Sequence, residues 1–254
     1  MMFAKKAFVL VLFFLHGYGC SQEYKITDQI YFDVHVDDGY LGRIVFGLFG
    51  EEVPKTVKNF KEIALNGIDG KTYVGTKFHT AIERLLIQGG DILYNNGTGF
   101  SSIYGKYFDD ENFTIKPDSS GLLVMVNHGP NTNGCQFFIT TMAIPWIEDT
   151  NVVFGKVLKG AEVVHRIEHY KTDVNDKILR NVVVTGVGEI TGAPFYEPSK
   201  NYELTLWAWI KAGWFPLAWS FTILAFFQMV IKRLDRYIEI KEGVLPTQEK
   251  DKKA

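Results

Sequence analysis

The stretch FHTAIERLLIQGGD, residues 78–91, places a histidine and a threonine just before an apolar run that ends in Gln-Gly-Gly-Asp. Imidazole, hydroxyl and amide groups of this kind form hydrogen bonds that can hold and polarise a bound carbonyl group. The pattern fits either a catalytic strand or the structural shell around one. For His79 by itself, a structural, hydrogen-bonded role is the favoured interpretation.

Metal chemistry has weaker support in the sequence. His165 and His169 are four residues apart on a predicted helix and could bind a metal, but no third ligand is apparent. A solvated helix face is therefore the favoured interpretation. The acidic run at 109–111 lacks the spacing of a calcium loop. Cys20 and Cys135 are the two cysteines, too few for a disulfide framework. We expect no metal ion and no cofactor.

Composition limits the class of protein. The chain has 254 residues, enough for one ordinary domain with appendages or for two small domains. Its net charge of −2 provides no basic excess that could neutralise phosphates. Nucleic acid is therefore not an expected partner.

The N-terminal end has the three parts of a secretory signal peptide. A short basic region precedes an uncharged apolar run, Ala7 to Leu15, and small residues follow ahead of Cys20. An uncleaved anchor helix is the alternative, but this run is too short to cross a bilayer. The sequence predicts a signal peptide over residues 1–20.

A second apolar segment lies near the C-terminal end. Residues 212–231 carry no charge, and a hydrocarbon core of ~30 Å needs about that many helical residues. Tryptophans crowd the start of this run, and lysine and arginine residues follow it, which places the C-terminus in the cytoplasm. A buried core helix is the alternative. The predicted organisation is a lumenal domain over 21–195, a tether over 196–211, a transmembrane helix over 212–231 and a cytoplasmic tail over 232–254.

The final residues, KDKKA, resemble the dilysine retrieval signal of endoplasmic reticulum membrane proteins. An ordinary charged tail is the alternative. The predicted localisation is the endoplasmic reticulum membrane, as a type I single-pass protein with its main domain in the lumen.

Short alternating or β-branched runs, separated by turn signals, predict eight strands between the two ends. They lie at 30–36, 41–49, 78–82, 85–88, 122–125, 136–140, 152–157 and 182–189. Pro54 opens a predicted helix that ends near Asn66, and a second helix is predicted over 161–168. This content indicates a mainly β fold, a closed eight-stranded antiparallel β-barrel with two helices.

Several runs taken together resemble the cyclophilin family of peptidyl-prolyl cis-trans isomerases. They are VPKTV at 53–57, FH at 78–79, QGGD at 88–91, NGTG at 96–99, GPNTNGCQFF at 129–138 and VFGKV at 153–157. The match is collinear from about Ile30 to Glu189. Further details, among them TYVG at 72–75 and WIKA at 209–212, resemble the membrane-anchored insect photoreceptor form of the family.

The resemblance implies a groove for proline-containing segments on one side of the barrel. In the family, an aromatic and aliphatic surface holds the proline ring, and an arginine supplies the main hydrogen-bond donor. Carried over by motif, the implied catalytic residues are Thr80, at the arginine position, and Gln88. The implied substrate-binding residues are Leu85, Leu86, Gly97, Val126, Asn127, Gln136, Phe138, Trp146, Ile147 and Asn151.

Thr80 is the main departure from the family pattern, because threonine is short and uncharged. Arg84 lies four residues further on, ~13 Å along a strand, and replaces the arginine only if the chain bends. Losing one charged donor costs ~1.5–3 kcal/mol, or roughly ten- to two-hundredfold in rate. The sequence therefore predicts weak or no isomerase activity.

Three functions stay open at this point: a folding escort with weak isomerase activity, a fully active lumenal isomerase, and a non-catalytic scaffold. The resemblance implies proline-containing clients, among them a membrane protein such as an opsin. Cyclosporin-type ligands are expected to bind weakly, because Trp146 is kept while Leu85, Leu86 and Asn151 differ from the usual residues. Asn96 and Asn112 begin N-glycosylation sequons, and a glycan on Asn96 would obstruct the groove.

Overall fold

The structure is a computed structural model that describes residues 23–198 and 206–241. The predicted signal peptide and residues 242–254 of the predicted tail lie outside these ranges. The chain divides into two compact units, with the boundary between residues 201 and 202.

Within residues 23–198, the described part of the first unit has ten strands and two α-helices. The strands are β1 (Glu23–Ile26), β2 (Asp28–Val36), β3 (Gly39–Leu48), β4 (Thr80–Ile82), β5 (Leu86–Gly89), β6 (Leu122–Met125), β7 (Phe137–Thr140), β8 (Val153–Lys159), β9 (Val182–Glu189) and β10 (Phe195–Pro198). The helices are α1 (Pro54–Leu65) and α2 (Ala161–Glu168), and a short 3-10 helix spans Pro145–Ile147. The eight predicted strands and both predicted helices are therefore confirmed.

The eight-stranded sheet is curled and antiparallel, with the order β4-β5-β7-β6-β8-β3-β2-β9. Its edge strands, β4 and β9, do not pair along a ladder, so the prediction of a closed barrel is wrong in that detail. The gap is spanned by residues 75–78, just before β4. There the backbone N–H groups of Gly75 and Phe78 donate to carbonyl groups of β9, and Val184 donates back to Thr76.

The alternation of β2 shows why this sequence forms a sheet with one buried face. Ile30, Phe32 and Val34 are fully buried, whereas Tyr31 and Asp33 between them are partly exposed. The core is rich in aromatic rings, and the centroid of Phe32 lies 5.0 Å from that of Phe46 in an edge-to-face arrangement. Such pairs add to the stabilisation from burial by ~0.5–1.5 kcal/mol each.

Helix α1 covers one end of the core with the predicted apolar face. Pro54 occupies its first turn, where a missing N–H group costs little. The Glu111 carboxylate accepts hydrogen bonds from the backbone N–H groups of Lys55 and Thr56, each at 3.0 Å. A carboxylate at this end also interacts favourably with the helix dipole. Phe60 is buried in the aromatic core.

Strands β1 and β10 form a separate two-stranded sheet that the sequence patterns did not indicate. Ile26 pairs with Phe195, and Glu23 pairs with Pro198. Strand β10 therefore overlaps the start of the tether predicted over 196–211, and the boundary of that tether stays a prediction.

The second unit contains helix α3, Leu206–Lys241. None of the helices in the described part of the chain combines the length and the apolar character needed to cross a membrane. The predicted span at 212–231 is therefore not confirmed, and the side chains of residues 212–218 lie outside those described.

Candidate functional site

Strands β4, β5 and β7 bring three of the predicted site residues into one row. Thr80 of β4 lies directly opposite Gln88 of β5, and Gln88 lies opposite Phe138 of β7. Directly opposed residues in an antiparallel sheet project from the same face. The hydroxyl, the amide and the aromatic ring therefore lie side by side, although the first and last are 58 residues apart.

The amide groups of Gln88 and Gln136 form the polar part of this surface. Gln88 Nε2 donates to Gln136 Oε1 at 3.0 Å. Gln136 is fully buried, and its Nε2 donates to the carbonyl groups of Gly97 and Gly99 at 3.1 and 2.7 Å. These bonds fix the orientation of both amides. Gln88 is thereby held in position as a hydrogen-bonding group at the surface.

The loop that carries Gly97 is organised around a buried carboxylate. Asp91 is fully buried, and its two oxygens accept hydrogen bonds from the backbone N–H groups of Leu93, Tyr94, Asn96, Gly97 and Gly99, at 2.9–3.2 Å. Burial by itself raises the pKa of Asp91, but these hydrogen bonds outweigh it, and the pKa is lowered from its ordinary value. Gly97 has φ +92°, a conformation that favours glycine.

The apolar part of the candidate groove combines partly buried and exposed side chains. Phe138 is buried, with 6% of its surface exposed, while Trp146, on the 3-10 helix, is 65% exposed. Four further predicted residues are partly buried and pack against the core: Leu85, Leu86, Val126 and Ile147. An accessible aromatic ring and partly buried aliphatic side chains are groups that suit an apolar ring such as that of proline.

Asn127 and Asn151, two of the predicted substrate-binding residues, form hydrogen bonds with backbone carbonyl groups of nearby segments. Asn127 Nδ2 donates to the carbonyl of Thr150 at 2.6 Å, and Asn151 Nδ2 donates to the carbonyl of Met125 at 3.0 Å. Both residues are partly exposed. Their amides tie the loop after the 3-10 helix to the end of β6.

The structure brings to Thr80 a cation that sequence reasoning missed. Lys177 Nζ donates to Thr80 Oγ1 at 3.0 Å and to the carbonyl of Asn96 at 3.0 Å. The loop of Lys177 is held against β4 by two backbone bonds, Ala81 N–H to Asp176 and Ile178 N–H to the carbonyl of His79. The sequence separation of 97 residues explains why local motifs gave no signal of this contact.

His79 is a neutral partner of the same cluster. Its Nδ1 lies 2.9 Å from Thr80 Oγ1. Burial, and secondly the positive charge of Lys177, lower the pKa of His79 to about 4. His79 is therefore uncharged at neutral pH, which agrees with the structural role predicted for it.

Arg84 does not belong to this cluster. It lies in the turn between β4 and β5 with φ +57°, and its backbone N–H donates to Glu168 Oε1 at 2.6 Å. Because Ile82 pairs with Leu86, the hairpin continues away from Thr80 before it reaches Arg84. The β4–β5 hairpin therefore has no bend that returns Arg84 to Thr80.

The two predicted glycosylation sites differ in their surroundings. Asn96 is exposed, and its side-chain oxygen accepts bonds from the N–H and hydroxyl groups of Thr98. Asn112 is partly buried, and its Nδ2 donates to the carbonyl of Glu52 at 2.6 Å. Glycosylation at either site stays a prediction, with Asn96 the more accessible acceptor.

A histidine pair outside the groove is accompanied by a third potential metal ligand. The carboxylate of Glu168 joins His165 and His169, and one ligand atom from each lies within 4.8 Å of the others. The expectation that no third ligand accompanies the two histidines is therefore wrong. The spacing His-x-x-Glu-His contained this signal, because residues three and four apart share one helix face.

Comparison with known proteins agrees with the fold. Residues 31–189 match the family described as cyclophilin type peptidyl-prolyl cis-trans isomerase/CLD. The chain belongs to the cyclophilin-type peptidyl-prolyl cis-trans isomerase family.

Among its relatives is the peptidyl-prolyl cis-trans isomerase, rhodopsin-specific isozyme, of Calliphora vicina. The two are 45% identical over 215 residues, which cover 84% of this chain and 91% of the relative. Peptidyl-prolyl cis-trans isomerase D of Saccharomyces cerevisiae is 43% identical over 174 residues, 68% of this chain and 77% of the relative. The predicted resemblance to the insect photoreceptor cyclophilin NinaA is confirmed by the first of these matches.

Proposed function

We propose that this protein is a peptidyl-prolyl isomerase of the secretory pathway that binds proline-containing segments of client proteins and assists their folding. The observation that supports this most strongly is the row Thr80–Gln88–Phe138, with the ammonium group of Lys177 at one end. An apolar site for the proline ring and a cationic donor then lie on one face. That combination supports an isomerase site over a purely structural surface.

The chemistry of isomerisation requires few groups. Rotation about the peptide C–N bond has a barrier of ~18–20 kcal/mol because that bond has double-bond character. A catalyst lowers it by holding the proline ring while donors stabilise the twisted amide more than the planar one. In this proposal Phe138 and Trp146 hold the ring, and Gln88 donates to the substrate.

Lys177 takes the part that an arginine has elsewhere in the family. Its ammonium carries three donors, and two of them are directed at Thr80 and the carbonyl of Asn96. The third, or the Thr80 hydroxyl polarised by the ammonium, can donate to the substrate. A lysine is a point charge without the planar fork of arginine, so we expect a slower isomerase than one bearing the arginine.

The groove is tested by isomerisation of a short Ala-Pro peptide with the purified full chain in detergent. We expect measurable turnover, and a loss of about tenfold or more in kcat/KM on Trp146→Ala, because the proline ring loses its main exposed contact. Tyr196→Ala is the matched control, since Tyr196 is 62% exposed and lies on β10. Wild-type turnover no faster than the uncatalysed reaction, or a Trp146→Ala variant as fast as wild type, would contradict the proposal.

The clients in this proposal are membrane proteins such as an opsin. The support is the similarity to a relative whose name states that it is rhodopsin-specific. A non-catalytic scaffold that recognises clients through another face is the alternative. That alternative predicts client binding unchanged by Trp146→Ala.

Membrane attachment is the second part of the proposal and rests on the sequence. The uncharged run at 212–231, the basic residues after it and the KDKKA ending support a type I anchor in the endoplasmic reticulum. Alkaline carbonate extraction of cell membranes tests it. An anchored chain stays in the membrane pellet, and release of the full chain into the supernatant would overturn this part.

A further inference from the structure

Helix α2 carries a buried carboxylate between two exposed histidines. The Glu168 side chain is 4% exposed, whereas those of His165 and His169 are 71% and 45% exposed. Glu168 Oε2 lies 3.3 Å from His165 Nδ1 and 3.8 Å from His169 Nδ1. Both of these ion-pair partners carry charge only when protonated.

The second oxygen of Glu168 is held by neutral donors. Oε1 accepts hydrogen bonds from the Arg84 backbone N–H and from Thr141 Oγ1, each at 2.6 Å. These bonds fix the carboxylate and leave Oε2 directed at the histidines. Outer hydrogen bonds of this kind are what orient carboxylate ligands in metal sites.

The histidine geometry is also suited to a metal. His169 Nδ1 lies 2.8 Å from the carbonyl of His165, so it carries a proton and donates. The other nitrogen, Nε2, then has a lone pair available for a metal. The Glu83 carboxylate of the β4–β5 turn lies 3.9 Å from this Nε2. The end of helix α2 therefore supplies imidazole and carboxylate groups, and the β4–β5 turn supplies a further carboxylate.

We propose that His165, Glu168 and His169 form a binding site for a divalent transition metal of the zinc type. Three ligands of the His₂Glu type are a known zinc set, with a fourth position for water or another carboxylate, and Glu83 is placed to fill it. Ligand atoms around tetrahedral zinc are ~3.3 Å apart, given bonds of ~2.0 Å. The separation of up to 4.8 Å is larger than this, so metal binding requires rotation of the exposed histidine side chains.

A bound metal would stabilise the turn between β4 and β5, two strands that carry candidate groove residues. Glu168 holds the backbone of Arg84, and this turn joins β4, which carries Thr80, to Leu85, Leu86 and Gln88. The site is separate from the row that carries the proposed isomerase chemistry. Its test is therefore independent of that proposal.

The test is zinc binding by the untagged full chain, measured by titration against a chromophoric chelator, with thermal unfolding in parallel. We expect saturable binding of one Zn²⁺ and a rise in Tm with zinc concentration. Mg²⁺ at the same concentration is expected to do neither, because it prefers oxygen ligands. Failure of the wild-type chain to bind Zn²⁺ in this assay would overturn the proposal.

Histidine variants locate the site. His165→Gln and His169→Gln are each expected to weaken zinc binding by about tenfold or more, and both side chains are exposed enough for the fold to tolerate the change. His35→Gln is the control, because His35 contacts Thr185 and Tyr40 and lies outside the cluster. Equal zinc affinity in wild type and in the double His165→Gln/His169→Gln variant would place the metal elsewhere and overturn the assignment.

Discussion

Replacing Lys177 by methionine is expected to lower kcat/KM for an Ala-Pro peptide by roughly ten- to two-hundredfold. The reason is the loss of one charged hydrogen-bond donor, which contributes ~1.5–3 kcal/mol, converted to a rate ratio. Methionine keeps an unbranched side chain as far as the Cε position and removes the ammonium that contacts Thr80. Lys171→Met, an exposed lysine in the same loop, is expected to leave the rate unchanged.

A double variant separates a catalytic role of Lys177 from a structural one. Thr80→Arg added to Lys177→Met returns a cation to the same place, and we expect it to recover much of the lost activity. A merely structural role for Lys177 predicts no recovery. Wild-type activity in the Lys177→Met variant would show that the ammonium is not the cation of this site.

The single Lys177→Met variant can also be tested by a measurement that does not depend on turnover. Because the charge of Lys177 contributes to the low pKa of His79, Lys177→Met is expected to raise that pKa, measured by NMR titration of the imidazole. The folded pKa of about 4 lies below the ordinary value of ~6.5. His79 is neutral in both the folded and the unfolded state above pH ~6.5, and because only the unfolded state binds a proton between pH ~6.5 and 4, stability falls by about 3 kcal/mol over that range. The variant should lose less stability over that pH range.

Substituting Asp91 by asparagine is expected to lower the free energy of unfolding by about 3 kcal/mol or more. The Asp91 carboxylate accepts hydrogen bonds from five backbone N–H groups of its loop. The asparagine amide replaces one of the two accepting oxygens with an NH₂ group, which is a donor. Each buried donor left without a partner costs ~1–3 kcal/mol. The measurement is the urea midpoint and slope of the full chain, with wild type beside the variant.

Asp109→Asn is the control for Asp91→Asn, because Asp109 is exposed, and surface changes of this kind usually stay within ~0.5 kcal/mol. We also expect lower isomerase activity in Asp91→Asn, since the loop provides Gly97 and the Asn96 carbonyl that holds Lys177. Equal stability of the two variants would show that the loop does not depend on this carboxylate.

The sequence by itself determined the eight strands of the main sheet and the two helices described in the first unit. The strands and helices are local features, because apolar side chains repeat at period two in a strand such as β2 and on one face of α1. The groove residues Gln88, Gln136 and Phe138 were found through the resemblance to a family. The structure places them side by side through strand pairing and a side-chain hydrogen bond, and their role in binding substrate stays a prediction.

The tertiary structure alone decided where the charge at the groove comes from. Thr80 was identified from the sequence as the position that lacks a cation, but Lys177 reaches it from a loop 97 residues later. No periodicity or motif encodes that contact, because it depends on how the loop packs against β4. The pairing of β1 with β10 and the contact of Glu168 with the Arg84 turn are hidden from sequence reasoning for the same reason. Each depends on segments far apart in the chain that meet only when the sheet curls around its core.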